Sequence, residues 1–289
     1  MVFVYVADRL LGIRVVEYGS DTILREEYAM TAEILYEKIG LPASVRERLT
    51  GKTDGVPKPM IAMLTDFARA EEGYLALARL LGEDDMAMLA CQLEAAAICC
   101  EKMTALGVPE AVMVETMKCF SRFLGETLEM TGQERFDREW WTWRQTGGRL
   151  LRIGQLEYEL VPEGKTVSLH IPSDAVFTPE KVDASLALAR ELLDRVYPDW
   201  SGADYVCHSW LLSPELGKLL KSDSNILAFQ NRFHITRVEP DARDFIGWLF
   251  RMKEDTPVEA LPETTSLQRS VKQLLLSGGS IGCARGVLL

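Results

Sequence analysis

Histidine is scarce in this 289-residue chain. It has three, and none of its six cysteines forms a C-x-x-C pair. Zinc sites are built mainly from those two residue types, so little material is left for one and no metal is expected. Long apolar runs are absent too: none reaches the roughly 18 residues of a membrane span. Positive charge is in deficit, with 32 Lys and Arg against 43 Asp and Glu, a net −11. That argues against nucleic acid as a partner, because phosphate binding wants a basic face. A local basic pocket for an anionic cofactor stays compatible with it. There is no internal repeat and no low-complexity segment.

What is present is ordinary for a soluble globular protein: 47% hydrophobic and 26% charged residues. The length fits one large or two ordinary domains. A core of that size needs no disulfide staples, so Cys91, Cys99, Cys100, Cys119, Cys207 and Cys283 read as reduced thiols of a cytoplasmic protein. The opening stretch, MVFVYVADRLLGIRVV, is apolar but broken by Asp8, Arg9 and Arg14. It lacks the basic-then-apolar order of a signal peptide. Residues 1–20 read as a short strand or an irregular extension.

Residues 21–148 carry helical periodicity. DTILREEYAMTAEILYEKIG stops at Gly40, a natural helix-ending residue. In EDDMAMLACQLEAAAICCEKMTALG, Met86, Leu89, Leu93, Ala96, Cys100 and Met103 recur every three or four positions. Pro109 opens another helix, with Met113, Met117, Phe120, Leu124 and Leu128 as its stripe. In ERFDREWWTWRQTGG, Phe136, Trp140 and Trp143 fall on one helical face and Trp141 points away from it. Arg144 is placed to stack on Trp140 or Trp141. That face reads as a pin between two domains, the alternative being an aromatic wall of a ligand groove.

At Gly147-Gly148 the period changes from 3.6 to 2. RLLRIGQLEYEL alternates, with Leu150, Leu156, Tyr158 and Leu160 on one face and Gln155, Glu157 and Glu159 on the other. After the turn VPEGKT, VSLHI pairs back as an antiparallel hairpin. Thr178 and Pro179 open a helix. YVCHSW and NILAFQNRFHITRV read as strands, and DFIGWLFRM as strand or helix. TTSLQRSVKQLLLSGG is a helix with a Thr265-to-Gln268 capping box. IGCARGVLL closes the chain with a flat face of Gly282, Ala284 and Gly286. The reading is α+β: an all-α half over 1–148, then a mixed sheet flanked by helices over 149–289.

DYVCHSWLLSP places a cysteine, a histidine and a serine side by side. In a strand, neighbours point to opposite faces, so His208 cannot take a proton from Cys207 or Ser209. An activated nucleophile needs its base within about 3 Å. Any base for Cys207 or Ser209 must come from elsewhere, and a buried small hydrophobe is the plain alternative for Cys207. Ser213 reads as a helix cap before Pro214. His170, on the polar face of its strand and four residues before Asp174, suits general base work. A hydrogen-bonded structural histidine is the alternative there, as it is for His208 and His234.

The blocks WWTWRQTGGRLLRIGQLEYEL, VSLHIPSD, YVCHSWLLSPEL, LAFQNRFHI and LPETTSLQRSVKQLLLSGGSIGCARGVL together resemble a bacterial family. Its members have an N-terminal helical acyltransferase-associated domain and a GNAT-like C-terminal domain. The likeness covers about residues 30 to 289. It implies a GNAT-type acyltransferase fold with acyl-CoA as cofactor, and the first reading of the residues beside it is acyl transfer to a small amine with His170 or His208 as base. In that fold a Gly-rich loop and a helix N-terminus hold the coenzyme A pyrophosphate. The corresponding slot here, His170 to Pro179, has no glycine; Pro172 and Pro179 lack N–H groups, and Asp174 and Glu180 add negative charge. Ser173, Ala175 and Val176 are left to cradle the cofactor, and weak acetyl-CoA binding is expected. Two further readings are a binding module that has lost the chemistry, and an enzyme using Cys207 or Ser209 as nucleophile.

Overall fold

The computed structural model describes residues 30–289. The reading of residues 1–20, and the start of the first helical pattern, lie outside the described residues. Eight helices come first: α1 (Ala32–Lys38), α2 (Ala43–Leu49), α3 (Lys58–Met63), α4 (Ala70–Leu81), α5 (Asp85–Ala105), α6 (Glu110–Met117), α7 (Cys119–Thr131) and α8 (Glu139–Thr146). α5 is the axis. Asp84 caps it by accepting a bond from the Ala87 N–H. Its Leu89, Leu93 and Cys100 face the main core, while Met88, Cys91 and Ala95 face a second cluster around Ile61, Leu64 and Leu77. A helix apolar on both sides is a buried helix. The stripe expected after Pro109 is split at Lys118 into α6 and α7, and Leu128 lies exposed.

The remaining elements are β1 (Leu150–Ile153), β2 (Leu156–Val161), β3 (Thr166–His170), α9 (Pro179–Val196), β4 (Tyr205–Ser209), α10 (Pro214–Gly217), α11 (Asn225–Gln230), β5 (Phe233–Glu239), α12 (Ser266–Leu276) and β6 (Cys283–Leu288). They build one six-stranded mixed sheet in the order β1-β2-β3-β4-β6-β5. β3 and β4 pair in parallel and α9 is their crossover; the other pairs are antiparallel. With the helices before it, the fold is α+β.

Two readings change and one open alternative, at DFIGWLFRM, resolves to helix. RLLRIGQLEYEL is two strands, because Ile153 pairs with Leu156 across a Gly154-Gln155 loop. Gly154 there has φ +66°, which suits glycine at the first position of a two-residue hairpin loop. The turn moves Leu150 to the face of Glu159 and puts Leu151 and Ile153 with Tyr158. NILAFQ is a helix, α11, capped by Ser224, rather than part of a strand. DFIGWLFRM is a short π-helical turn over Ile246–Phe250. The capping box of α12 is present as read. The small-residue face of the last strand also has its reason: a Cβ at Gly282 would stand 2.3 Å from the Glu239 carbonyl oxygen.

The two sheet faces differ. Leu151, Tyr158, Val167 and Leu169 pack under α9, where Ser185 bonds the Tyr158 hydroxyl at 2.9 Å. The opposite face carries Arg152, Glu157, Glu159 and His170, and the helical half covers it. Glu157 and Glu159 are buried for that reason, not solvated. Among the described residues, no helix is long and apolar enough to cross a membrane.

Candidate functional site

β3 and β4 run in parallel only as far as the Leu169–Cys207 pair. Beyond it β3 turns away into the loop 171–178, while β4 continues beside β6 to Ser209. Parallel strands that part leave backbone polar groups unpaired at their carboxyl ends, where ligands of open α/β sheets bind. A cleft of about 710 Å³ lies there. Arg122, Phe123, Glu126, Trp140 and Trp141 form its helical wall; Asp244, Trp248 and Arg251 face them.

His170, at the end of β3, borders this cleft. Its Nε2 lies 2.9 Å from Glu159 Oε2. The register pairs Glu159 with Ser168, so His170 is its diagonal neighbour on the same face. Arg144 Nε is 3.1 Å and Arg149 Nη2 4.0 Å from the other Glu159 oxygen. Burial alone would push the Glu159 pKa up, but the His170 bond and the charges of His170, Arg144 and Arg149 hold it below its ordinary value. An ionised Glu159 accepts the Nε2 proton and makes Nδ1 the basic nitrogen of neutral His170. The Trp141 ring stands edge-on to His170, centroids 4.9 Å apart at 88°. Arg144 lies 4.3 Å from the Trp141 centroid and 4.4 Å from that of Trp143.

Asp174 does not serve His170. It bonds Arg152 Nη1 at 2.7 and 2.9 Å. Partial burial would raise its pKa, but Arg152 and then Arg122 bring it down. The expected carboxylate beside His170 is therefore Glu159, from the neighbouring strand. Ser173 is bonded to Glu126. The Ala175 N–H donates to the Pro172 carbonyl at 3.0 Å, and the Val176 N–H to Gln155 Oε1 at 2.7 Å. All three polar groups expected to cradle a cofactor are thus engaged within the protein.

His208 shares the His170 face and borders the cleft, with Nε2 3.4 Å from Glu239. His234, on β5, is exposed and does not line it. Cys207 is fully buried, and burial pushes its thiol up to about 12. Cys207 and Ser209 both border the cleft, but that environment suits a buried small hydrophobe better than a nucleophile, which must ionise near neutral pH. Ser209 accepts a bond from the Leu211 N–H and caps a 3₁₀ turn, and Ser213 caps α10. The tryptophan reading is corrected as well. Trp143 is buried in the helical half, whereas Trp140 is 50% exposed on the cleft, and Trp141 is the ring that reaches the sheet. Phe136 precedes α8 and packs on Phe120.

Two family descriptions match the chain. The N-acyltransferase N-terminal domain matches residues 30–148, and the GNAT-like C-terminal domain matches residues 149–288. The chain therefore carries both domains, in this order and end to end over residues 30–288. No curated protein matches it. Among solved structures, a mutant acyltransferase in complex with octanoyl-CoA is similar at TM-score 0.72 and 23% identity, over 89% of this chain and 87% of that one. An acyltransferase in complex with decanoyl-CoA and teicoplanin is similar at TM-score 0.66 and 21% identity, over 90% of this chain and 99% of that one. At these identities the likeness is one of fold.

Proposed function

We propose that this chain is an N-acyltransferase that moves an acyl group from acyl-CoA to a small amine. The observation that carries the reading is the parting of β3 and β4 over a cleft lined by His170, which Glu159 bonds from behind. The parted edge offers backbone N–H groups to polarise a thioester carbonyl. His170 takes a proton from the acceptor ammonium, and the freed amine attacks the carbonyl carbon. The C–N bond forms, the C–S bond breaks, and the second amine proton goes to the departing thiolate. Glu159 stabilises the imidazolium and keeps the tautomer correct.

The residues fit the acyl arm better than the pyrophosphate. The cleft is walled by Phe123, Trp140, Trp141 and Trp248, and structural neighbours carry octanoyl and decanoyl chains. The α9 N-terminus has no side-chain cap, but Pro179 lacks an N–H and the Val182 N–H bonds the Thr178 carbonyl, so only the Glu180 and Lys181 N–H groups are left for an anion. Arg232, bonded to the Pro179 carbonyl at 3.2 Å and Asp183 at 3.0 Å, sets a cation beside that turn. The engaged amides of Ala175 and Val176 favour a second reading, a cleft that has kept the fold without the chemistry.

Calorimetry with acetyl-CoA and decanoyl-CoA, followed by thiol release in the presence of amines, tests both. Acetyl-CoA is expected to bind no tighter than about 100 μM, roughly −5.5 kcal/mol. Decanoyl-CoA should bind at least about ten-fold tighter, because its extra methylenes are buried. Binding without thiol release would favour the second reading. No binding of either would end the first.

A further inference from the structure

Nearly every Asp, Glu, Arg and His that lines the cleft has an opposite charge beside it within the protein. Arg122 is joined to Glu126 and Glu157, Arg138 to Asp137, His170 to Glu159 and His208 to Glu239. Asp244 and Arg251 are the exceptions: among the described residues neither has an opposite charge as partner, and they do not pair with each other. They share the wall that faces the helical half, one before and one after the π-helical turn Ile246–Phe250. Trp248 lies between them on that wall and is 46% exposed. The buried Cys283 thiol donates to Asp244 Oδ1 at 2.8 Å, which anchors the carboxylate. A thiol needs one acceptor atom and no charge, so that bond accounts for neither the second oxygen nor the ionised group. Asp244 Oδ2 accepts no hydrogen bond from the described residues and is not buried. Arg251 has φ +57° and ψ +36°, a left-handed backbone that is uncommon for arginine. π-helical turns and backbone outliers of this kind both gather at functional sites.

We propose that Asp244 and Arg251 form the acceptor subsite of this cleft, Asp244 taking the ammonium and Arg251 the carboxylate of one molecule that carries both groups. The acceptor class is then an amino acid in the chemical sense, and the proposal rests on the acyltransferase reading for what happens to its amine. A ligand with both charges gives each side chain its missing partner, whereas a plain amine leaves Arg251 as it was and a plain acid leaves Asp244. The guanidinium fork matches a carboxylate with two parallel bonds, and charge-assisted bonds of this kind are about twice as strong as neutral ones. The bare Trp248 ring between the two charges covers the carbon chain of the ligand. An acceptor on this wall leaves Phe123, Trp140 and Trp141, on the wall across the cleft, to the acyl chain.

Four probes of equal chain length test this by calorimetry: norleucine and 6-aminohexanoate, which carry both charges, and n-hexylamine and hexanoate, which carry one each. At least one of the two amino acids should bind the wild-type protein about ten-fold tighter than either singly charged probe. Arg251→Gln should bring that amino acid down to the level of hexylamine, and Asp244→Asn to the level of hexanoate. Lys253→Gln, at an exposed position outside the cleft, should keep the preference. Hexylamine binding as tightly as both amino acids overturns the proposal, as does a preference that survives in Arg251→Gln. Arg251 is exposed, so its variant keeps the fold and decides even if Asp244→Asn does not fold. Decanoyl-CoA is titrated in parallel. A preference for the amino acid without decanoyl-CoA binding upholds the subsite and removes the acyltransferase. Decanoyl-CoA binding without that preference removes the subsite alone. Weaker decanoyl-CoA binding in Arg251→Gln, with the amino acids unaffected, gives Arg251 to the phosphates of the donor and overturns the proposal.

Discussion

His170 and Glu159 meet at 2.9 Å across neighbouring strands, so the cleft's histidine has a fixed tautomer before any ligand arrives. The two residues should then fail differently. His170→Ala removes the base and should lower turnover by about 10²–10⁴-fold while the protein stays folded. Glu159→Gln keeps the shape but leaves Arg144 and Arg149 without their counter-charge. It should lower turnover and also cost about 3 kcal/mol of stability. Steady-state rates and urea unfolding of both variants check this. An unaltered rate in His170→Ala would sink the histidine mechanism.

Two tryptophans of α8, one turn apart, make a second pair of contrasts. Trp143 is 4% exposed and packs with Ile61, Leu64 and Leu77. Its replacement by alanine should cost about 3–5 kcal/mol. Trp140 is half exposed, and Trp140→Ala should stay within about 0.5 kcal/mol. Thermal melts separate these outcomes directly. If Trp140→Ala melted as early as Trp143→Ala, Trp140 would be the pin after all.

Local rules made some of this legible in the sequence. The α5 stripe, the Thr265–Gln268 box and the flat Gly282–Ala284–Gly286 face follow from periodicity, capping and sterics, which act over a few residues. The Gly154 turn is hidden because the alternating pattern runs straight on through it; only glycine's ease at positive φ marks the place. That turn sets the β1–β2 register, which stands Arg152 opposite Glu157; the register that joins Glu159 to His170 belongs to the next turn, over residues 162–165. Arg122 and Glu126 stand one turn apart on α7 and form a buried pair that no reading of the sequence singled out. Its burial depends on Glu157 and Asp174, which come from the sheet half, and no local pattern carries that.

The thiols give the last prediction, and it separates the nucleophile reading from the histidine one. All six cysteines are free and buried. Burial pushes Cys91 up to about 11 and Cys207 up to about 12. So raised, the thiols stay neutral at pH 8, where unperturbed thiols are partly ionised. Iodoacetamide at pH 8 should therefore label none of them in the folded protein and all six in urea. Cys207→Ala should keep its turnover. The same shifts carry a sign in stability. The unfolded chain ionises its thiols near pH 8.5, while the folded chain holds them neutral, so their contribution is complete below that pH. It is lost as pH climbs through about 11 and 12. The melting temperature should fall steadily above pH 9. Rapid labelling of native Cys207, with loss of activity that substrate protects against, would return the nucleophile to contention.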